Sequence, residues 1–432
     1  MALGRAAARV LRADHFLVGR DTRISGPLLQ AALSAGLAAE GMHVVDVGVM
    51  PTPALAWASA AEKVPAAVIS ASHNAYPDNG IKFFGAGGRK LSDDEESRLE
   101  AELDRILSSP ATASPPAEPP PVGAEVGRLE TASRSEGYVA ALLETLTAGS
   151  LPGSMSVVID CAHGAASAVA PEVLRRSGVR LHVLNDRPDG VNINRGCGST
   201  HPEGLQRAVL ERGADVGLAF DGDADRVLAV DHRGDLVDGD EIIAICATDR
   251  HARGLLPGDT VVVTVMANLG FRQAMDAAGI RVVETAVGDR WVLEEMESGG
   301  CLLGGEQSGH IIFRELASTG DGILTGLQLL DVMARTGRRL AELAAVMTRS
   351  PQILRNIHVA ARRPLAEVPE LCAEVEAVAA GLGERGRVLV RPSGTEPLVR
   401  VMVEALELAD AEAACERLCA AVEKTFGAPR GA

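Results

Sequence analysis

The chain has 432 residues, 47% of them hydrophobic and 23% charged, with a formal net charge of −16 and a pI near 5.2. That length exceeds one typical core and predicts two to four domains in an ordinary globular protein. The acidic balance excludes a general attraction to nucleic acid or to an anionic membrane surface, so an anionic substrate would need local basic groups.

The opening stretch MALGRAAARVLRADHF lacks the apolar centre of a signal peptide, and no run of 18 or more apolar residues occurs. The expected chain therefore neither spans nor enters a membrane. Cys161, Cys197, Cys246, Cys301, Cys372, Cys415 and Cys419 form no C-x-x-C pair and no zinc spacing. Their odd number does not suggest a disulfide framework, and a reducing cytoplasm is the expected compartment. Cys415 and Cys419 stand four apart on a predicted helix, which predicts a shared packing face rather than a bond.

In chain order, the pattern predicts a strand over 15–21, an Ala/Leu helix over 27–40 with proline at its start, and a strand over 44–47. The same order recurs at 156–160, 171–177 and 179–184, and again at 260–265, 271–278 and 282–286. Repeated strand–helix–strand units with short connections predict parallel sheets covered by helices. Residues 108–123 hold six prolines among Ala, Ser, Glu and Gly, which predicts an extended surface excursion inside the first domain. Beyond Pro351 come a strand over 353–359, a long helical region, two strands flanking RPSGTEP, and a closing helix over 409–426. The expected architecture is three similar mixed or parallel-sheet α/β domains, 1–150, 151–237 and 238–351, plus a C-terminal α+β domain, 352–432, around one central cleft.

Four loops carry the chemistry. The apolar run 66–69 empties into SASHNAYPDNGIKFFG, where Ser72 stands beside His73, Asn74, Asn79 and Lys82. That setting suits an exposed hydroxyl among anion-binding groups, although for the serine alone the commoner reading is one serine in a polar loop. In DGDADR, after the apolar run VGLAF, Asp221, Asp223 and Asp225 alternate. Three carboxylates so spaced repel one another unless a cation sits among them, which favours a divalent metal over an acidic surface turn. An EF-hand would want glycine and glutamate where Arg226 and His232 stand, so oxygen ligands with a phosphate nearby favour Mg2+. GGEQSGH (304–310) offers Glu306 and Ser308 to sugar hydroxyls, with an ordinary glycine-rich turn as the alternative. RPSGTEP (391–397) joins Arg391, the hydroxyls of Ser393 and Thr395 and the amide of Gly394 into an anion nest, with an ordinary β-turn as the alternative.

Together these loops resemble, in the same order, those of the α-D-phosphohexomutase family. The phosphoserine loop of that family reads Ser-His-Asn-Pro ahead of a Gly-aromatic/aliphatic-Lys, and here only the proline is replaced, by Ala75. All fixed positions of its Asp-Gly-Asp-x-Asp-Arg metal loop and its Gly-Glu-x-Ser-Gly-His sugar loop are present, and its phosphate loop matches through LVRVMVE. Shorter matches occur at GRDTRISG, MPTP, CGSTHPE and VGDRWVLEEM, with Arg195 and Trp291 as departures.

The resemblance implies that Ser72 carries a phosphoryl group and that Lys82 holds phosphate. Mg2+ would be held by Asp221, Asp223, Asp225 and the Ser72 phosphoryl oxygen, with Arg226 and Lys82 offsetting charge on the transferring group. Glu306, Ser308 and His310 would bind sugar, and Arg391, Ser393, Gly394 and Thr395 phosphate, from a mobile fourth domain. His73 and His310 are candidate proton carriers or hydrogen-bond partners only. The implied substrate is a small sugar phosphate, with a hexosamine or hexose 1,6-bisphosphate as activator and intermediate. No nucleic acid or membrane partner is implied, and a homodimer is a further expectation. Gln307 is similar to the amino-sugar branch of the family; a hexose branch and a non-catalytic sugar-phosphate-binding paralogue are the alternatives. Family members also open with a strand and loop resembling Phe-Gly-Thr-Asp-Gly-Ile-Arg-Gly, which this sequence lacks, and an unpaired edge in the first sheet is the expected consequence.

Overall fold

The runs SVVID, VGLAF and TVVVT are buried at every position. A strand covered on both faces has no solvent side to alternate toward, so it reads as one continuous apolar stretch at the centre of a sheet. The computed structural model describes residues 1–108, 121–360, 367–392 and 398–427. They form two units, Met1–Val265 with Ile280–Ala345, and Met266–Gly279 with Val346–Ala432. Among the described residues no helix is long and apolar enough to cross a membrane.

The first unit begins with α1 (Ala2–Leu11), β1 (His15–Arg20), α2 (Gly26–Ala38), β2 (His43–Val49), α3 (Thr52–Glu62), β3 (Ala66–Ile69), β4 (Ile81–Phe84), α4 (Asp93–Ser108), β5 (Leu129–Thr131) and α5 (Ser135–Glu144). The strand order is β4-β3-β1-β2-β5, parallel except for β4. Helices α1 and α2 meet backbone to backbone, because a Cβ on Gly4 would lie 2.2 Å from the Leu33 carbonyl oxygen. Arg5 and Arg9 then reach Glu40 at 2.7 and 2.8 Å, and Arg9 reaches Glu102 at 2.9 Å.

The second sheet contains β6 (Ser156–Asp160), α6 (Ala170–Ser177) crossing to β7 (Arg180–Leu184), α7 (Glu203–Arg212), β8 (Val216–Phe220), β9 (Val227–Asp231) and β10 (Leu236–Val237), ordered β10-β9-β8-β6-β7. Helix α8 (Gly239–Ala252) follows, capped by the Asp238 carboxylate. The third sheet begins with β11 (Thr260–Thr264). Next in sequence comes α9 (Leu269–Ala277), which belongs to the second unit. The sheet resumes with β12 (Arg281–Thr285), α10 (Asp289–Ser298), β13 (Leu303–Gly305) and β14 (Ile311–Phe313), ordered β12-β11-β13-β14, before α11 (Gly322–Thr336) and α12 (Leu340–Ala344).

All three sheets share one departure from a purely parallel reading. Each closes on an antiparallel hairpin, β3–β4, β8–β9 or β13–β14. The three candidate loops of this unit are the turns of those hairpins.

The second unit adds β15 (Gln352–His358), α13 (Pro369–Leu382), β16 (Gly386–Pro392), β17 (Leu398–Ala405) and α14 (Leu408–Phe426), with the antiparallel order β15-β17-β16. Val399, Val401 and Val403 face a core that includes Leu371, Leu418 and Val422. Cys415 and Cys419 are both free there, 3.9 Å apart at sulfur. The proline-rich stretch lies mostly outside the described residues.

Asp321 links α5 to the start of α11. Its carboxylate accepts from Leu324 N at 2.9 Å and from the Tyr138 hydroxyl at 2.7 Å. Burial raises its pKa to about 6, against the lowering effect of those donors. A carboxyl whose folded pKa lies above its unfolded value favours the folded state most below the unfolded value, and that contribution is lost as pH rises through the folded one. Asp321→Asn is therefore expected to flatten the fall in stability between about pH 4 and pH 6, a term on the order of 3 kcal/mol. Urea unfolding of both proteins across that range reads the difference.

Candidate active site

The Ser72 turn is positioned by a short internal chain of hydrogen bonds. Ser70 Oγ donates to Asp21 at 2.7 Å, and the Ser72 amide donates to Ser70 Oγ at 3.0 Å. Ser72 is buried, with a left-handed backbone at φ 50°. Its hydroxyl donates to Asp221 Oδ2 at 2.6 Å, across from the first sheet to the second. The two turns touch along their backbones, since a Cβ on Gly222 would lie 2.5 Å from the Ser72 carbonyl oxygen. Only glycine admits that approach.

Asp221, Asp223 and Asp225 are all buried, with one oxygen of each within 4.8 Å of the others. Asp223 Oδ2 accepts from Thr52 Oγ1 at 2.7 Å and from Lys82 Nζ at 2.8 Å, and Lys82 reaches Asp225 Oδ2 at 3.4 Å. Asp223 Oδ1 and Asp225 Oδ1 are buried with no hydrogen-bond partner. Orphaned carboxylate oxygens are costly to bury, and a hard divalent cation satisfies them, so the residues present fit Mg2+.

The electrostatics separate the carboxylates. Burial, then Asp225 and Asp223, push the Asp221 carboxyl well above the ordinary range. Asp225 is driven the other way, because Lys82, His310 and Arg226 outweigh its burial. Lys82 in turn stays firmly charged, since Asp223 and Asp225 outweigh the burial that lowers it. The resemblance assigned Lys82 to phosphate; in the structure its ammonium lies on these two carboxylates.

Both histidines have their ring lone pairs occupied. Arg226 Nη1 donates to His73 Nδ1 at 2.8 Å, and Ser72 Oγ lies 3.5 Å from the same nitrogen. Burial of part of the ring and the Arg226 charge lower the pKa of His73. His310 is buried; its Nε2 accepts from Gly320 N at 3.1 Å, and its Nδ1 stands 3.6 Å from Asp225. A nitrogen that accepts from arginine carries no proton of its own, so His73 Nδ1 is unprotonated here, while the His310 ring lies between the Asp225 and Asp289 carboxylates.

In the 304–310 loop, Glu306 Oε1 accepts from Gly288 N at 3.2 Å, Ser308 is exposed, and Gln307 Nε2 donates to Asp238 at 3.4 Å. Two residues escaped the sequence reading. Asp289 lies 3.5 Å from His310 Nε2 and is ion-paired with Lys90; His310 and Lys90 outweigh its burial and hold it at about 2. The only signal for Asp289 was its place in VGDRWVLEEM. In the second unit, Arg391 pairs across strands with Arg400, and burial and that neighbouring charge lower its pKa. Ser393, Gly394 and Thr395 lie outside the described residues.

Models of the phosphoglucomutase/phosphomannomutase family match four successive segments: alpha/beta/alpha domain I at 1–109, domain II at 136–234, domain III at 238–350 and the C-terminal domain at 354–421. The chain belongs to this family. It is 54% identical over 408 residues to the phosphoglucosamine mutase of Moorella thermoacetica, covering 93% of this chain and 90% of that one. Among solved structures, a phosphoglucomutase/phosphomannomutase family protein from Burkholderia thailandensis superposes with a TM-score of 0.82 at 25% identity, over 99% of this chain and 94% of that one. The N-acetylphosphoglucosamine mutase of Aspergillus fumigatus, solved with GlcNAc-6P and magnesium, shares the fold at a TM-score of 0.64 and 20% identity, over 87% of this chain and 93% of that one.

The orphaned oxygens predict a stability effect independent of turnover. Mg2+ is expected to raise the thermal unfolding midpoint of the wild-type protein. Asp223→Asn should lose most of that rise, whatever the metal-free midpoint becomes once its pairing with Lys82 is weakened. An equal Mg2+ response in both proteins would count against the triad as the cation site.

Proposed function

We propose that this chain interconverts glucosamine 6-phosphate and glucosamine 1-phosphate, with Ser72 as phosphoryl carrier and a 1,6-bisphosphate as activator and intermediate. The observation that carries the reading is the Ser72 hydroxyl 2.6 Å from Asp221 in a buried carboxylate triad with two unsatisfied oxygens. Its sugar assignment is supported by the name shared with relatives half identical over nearly the whole chain. Gln307 contributes indirectly, since its amide is spent on Asp238 and so fixes the loop.

In this reading Asp221, Asp223, Asp225 and the Ser72 phosphoryl oxygen would hold Mg2+. Bound there, the ion offsets charge that builds on the transferring phosphoryl group. In the first half-reaction the phosphorus–Oγ bond of phosphoserine breaks and a phosphorus–oxygen bond to the sugar hydroxyl forms. The hydroxyl proton ends on Ser72 Oγ, leaving the serine as a donor to Asp221. The bisphosphate then turns end for end, and the second half-reaction returns its other phosphoryl group to Ser72. Arg226 supplies positive charge beside the serine, and Lys82 pairs with Asp223 and holds Asp225 in its carboxylate form. His73 and His310 orient neighbouring groups as hydrogen-bond partners. Glu306 and Ser308 take sugar hydroxyls, and Arg391 of the second unit takes phosphate. A cytoplasmic setting belongs to the same reading, supported by the seven free cysteines.

Ser72→Ala is expected to abolish both the phosphoryl mass increment and mutase activity while leaving the fold intact. Coupled assays on the phosphoprotein should turn over glucosamine 1-phosphate faster than glucose 1-phosphate or mannose 1-phosphate. Full activity in Ser72→Ala would end the phosphoserine mechanism, and faster hexose turnover would move the protein to the hexose branch.

A further inference from the structure

Beneath the Ser72 turn lies a fully buried arginine that the proposed chemistry does not use. Arg23 is 1% exposed, with its Nε donating to Asp21 Oδ2 at 2.9 Å. The rest of its fork is spent on the backbone of the Ser72 turn. Its Nη2 donates to the carbonyls of Ser72 at 3.1 Å and Asn74 at 2.9 Å, and its Nη1 donates to that of Ala75. From the second sheet's side, Asn194 Nδ2 donates to the same Ser72 and Asn74 carbonyls, both at 2.9 Å. Two side chains from separate parts of the first unit thus grip one pair of carbonyl oxygens.

A second observation concerns backbone strain. Left-handed conformations are unfavourable for residues with a Cβ and persist only where their surroundings enforce them. Ser72 (φ 50°), Ala162 (φ 54°), His163 (φ 50°), Asn185 (φ 51°) and Asn194 (φ 57°) all adopt them. They are linked: the Asn194 amide donates to Ala162 O at 2.9 Å, the His163 amide to Asn185 O at 2.7 Å, and Thr22 Oγ1 to His163 O at 2.6 Å. The strained loop of the second sheet therefore ends in the side chain that holds the strained serine.

We propose that Arg23 and Asn194 are positioning residues for phosphoryl transfer, holding the Ser72 and Asn74 carbonyls so that Ser72 keeps the left-handed backbone that aims Oγ at Asp221. The inference rests on Ser72 being the phosphoryl carrier. Turning the carbonyls inward fixes the peptide and with it the Cα–Cβ direction of Ser72, from which Oγ reaches Asp221. Lysine at position 23 would keep a charge for Asp21, but its three donors radiate from one nitrogen and cannot reproduce a planar fork spread over three carbonyls.

The test compares Arg23→Lys and Asn194→Gly with wild type. Glycine tolerates the positive φ of position 194, so the second variant removes the donor without straining the chain. Measured on full-length protein are kcat, KM, Ser72 phosphorylation after incubation with glucose 1,6-bisphosphate, and the thermal unfolding midpoint. Each variant is expected to lose up to about a hundredfold in kcat, the cost of misplacing a reacting group by about 1 Å. KM should be unchanged, Ser72 phosphorylation slower, and the protein folded at the assay temperature. Wild-type kcat in folded Asn194→Gly and Arg23→Lys overturns the proposal, as does a loss of kcat that only tracks the loss of folded protein. Ser72→Ala separates the levels. An active Ser72→Ala removes the phosphoserine reading and this inference with it, whereas an inactive Ser72→Ala beside fully active brace variants removes the brace alone.

Discussion

Three carboxylates buried on one six-residue turn, with a serine hydroxyl against the first of them, set the constraint that the rest of the first unit has to satisfy. Unbalanced, that much negative charge out of water would prevent the turn from packing. Balance comes from other hairpins and from the turn itself. Lys82 arrives from β4 and lies on Asp223 and Asp225, Arg226 closes the same turn, and His310 arrives from the β13–β14 turn to face Asp225. The charge is compensated but the oxygens are not all used, and this combination leaves a place for a cation.

The hairpins explain how these groups arrive together. A purely parallel βαβ sheet sends each strand directly into a helix, where a helix N-terminus meets the ligand. Here each sheet instead turns back on itself at the critical strand, so the turn is held on both sides by ladder hydrogen bonds. Two such turns then come close enough for backbone to touch backbone at Gly222, while Thr52 N and Oγ1 both bind Asp223. The first two sheets are thereby locked to each other at the site itself.

The overall charge of −16 makes the local arrangement more telling. The groups around Ser72 are selected cations, each tied to a carboxylate or an imidazole. The histidines, which the sequence offered both as proton carriers and as hydrogen-bond partners, each accept a donor in the fold, His73 from Arg226 and His310 from the Gly320 amide. The same accounting gives Asp289 and Lys90 a place beside His310 that no motif had assigned them.

The sequence alone marked the apolar central strands and the loops that leave them, because each signal is local. A continuous apolar run marks a doubly buried strand, and alternate aspartates mark a cation-seeking turn whatever surrounds them. Strand limits at 156–160 are the same from sequence and structure, since Asp160 ends the apolar run and begins a turn. The antiparallel return of β4, β9 and β14 was not legible, because IKFF, VLAVD and IIF carry no mark of direction; pairing decides it. Nor was the part played by Arg23, which nothing in GRDTRISG sets apart and which in the fold is buried under the Ser72 turn. The contact of Lys82 with Asp223 and Asp225 was not legible for the same reason. What a charged side chain does depends on which opposite charge or carbonyl lies nearest in space, and only the packing of one sheet against the next sets that distance.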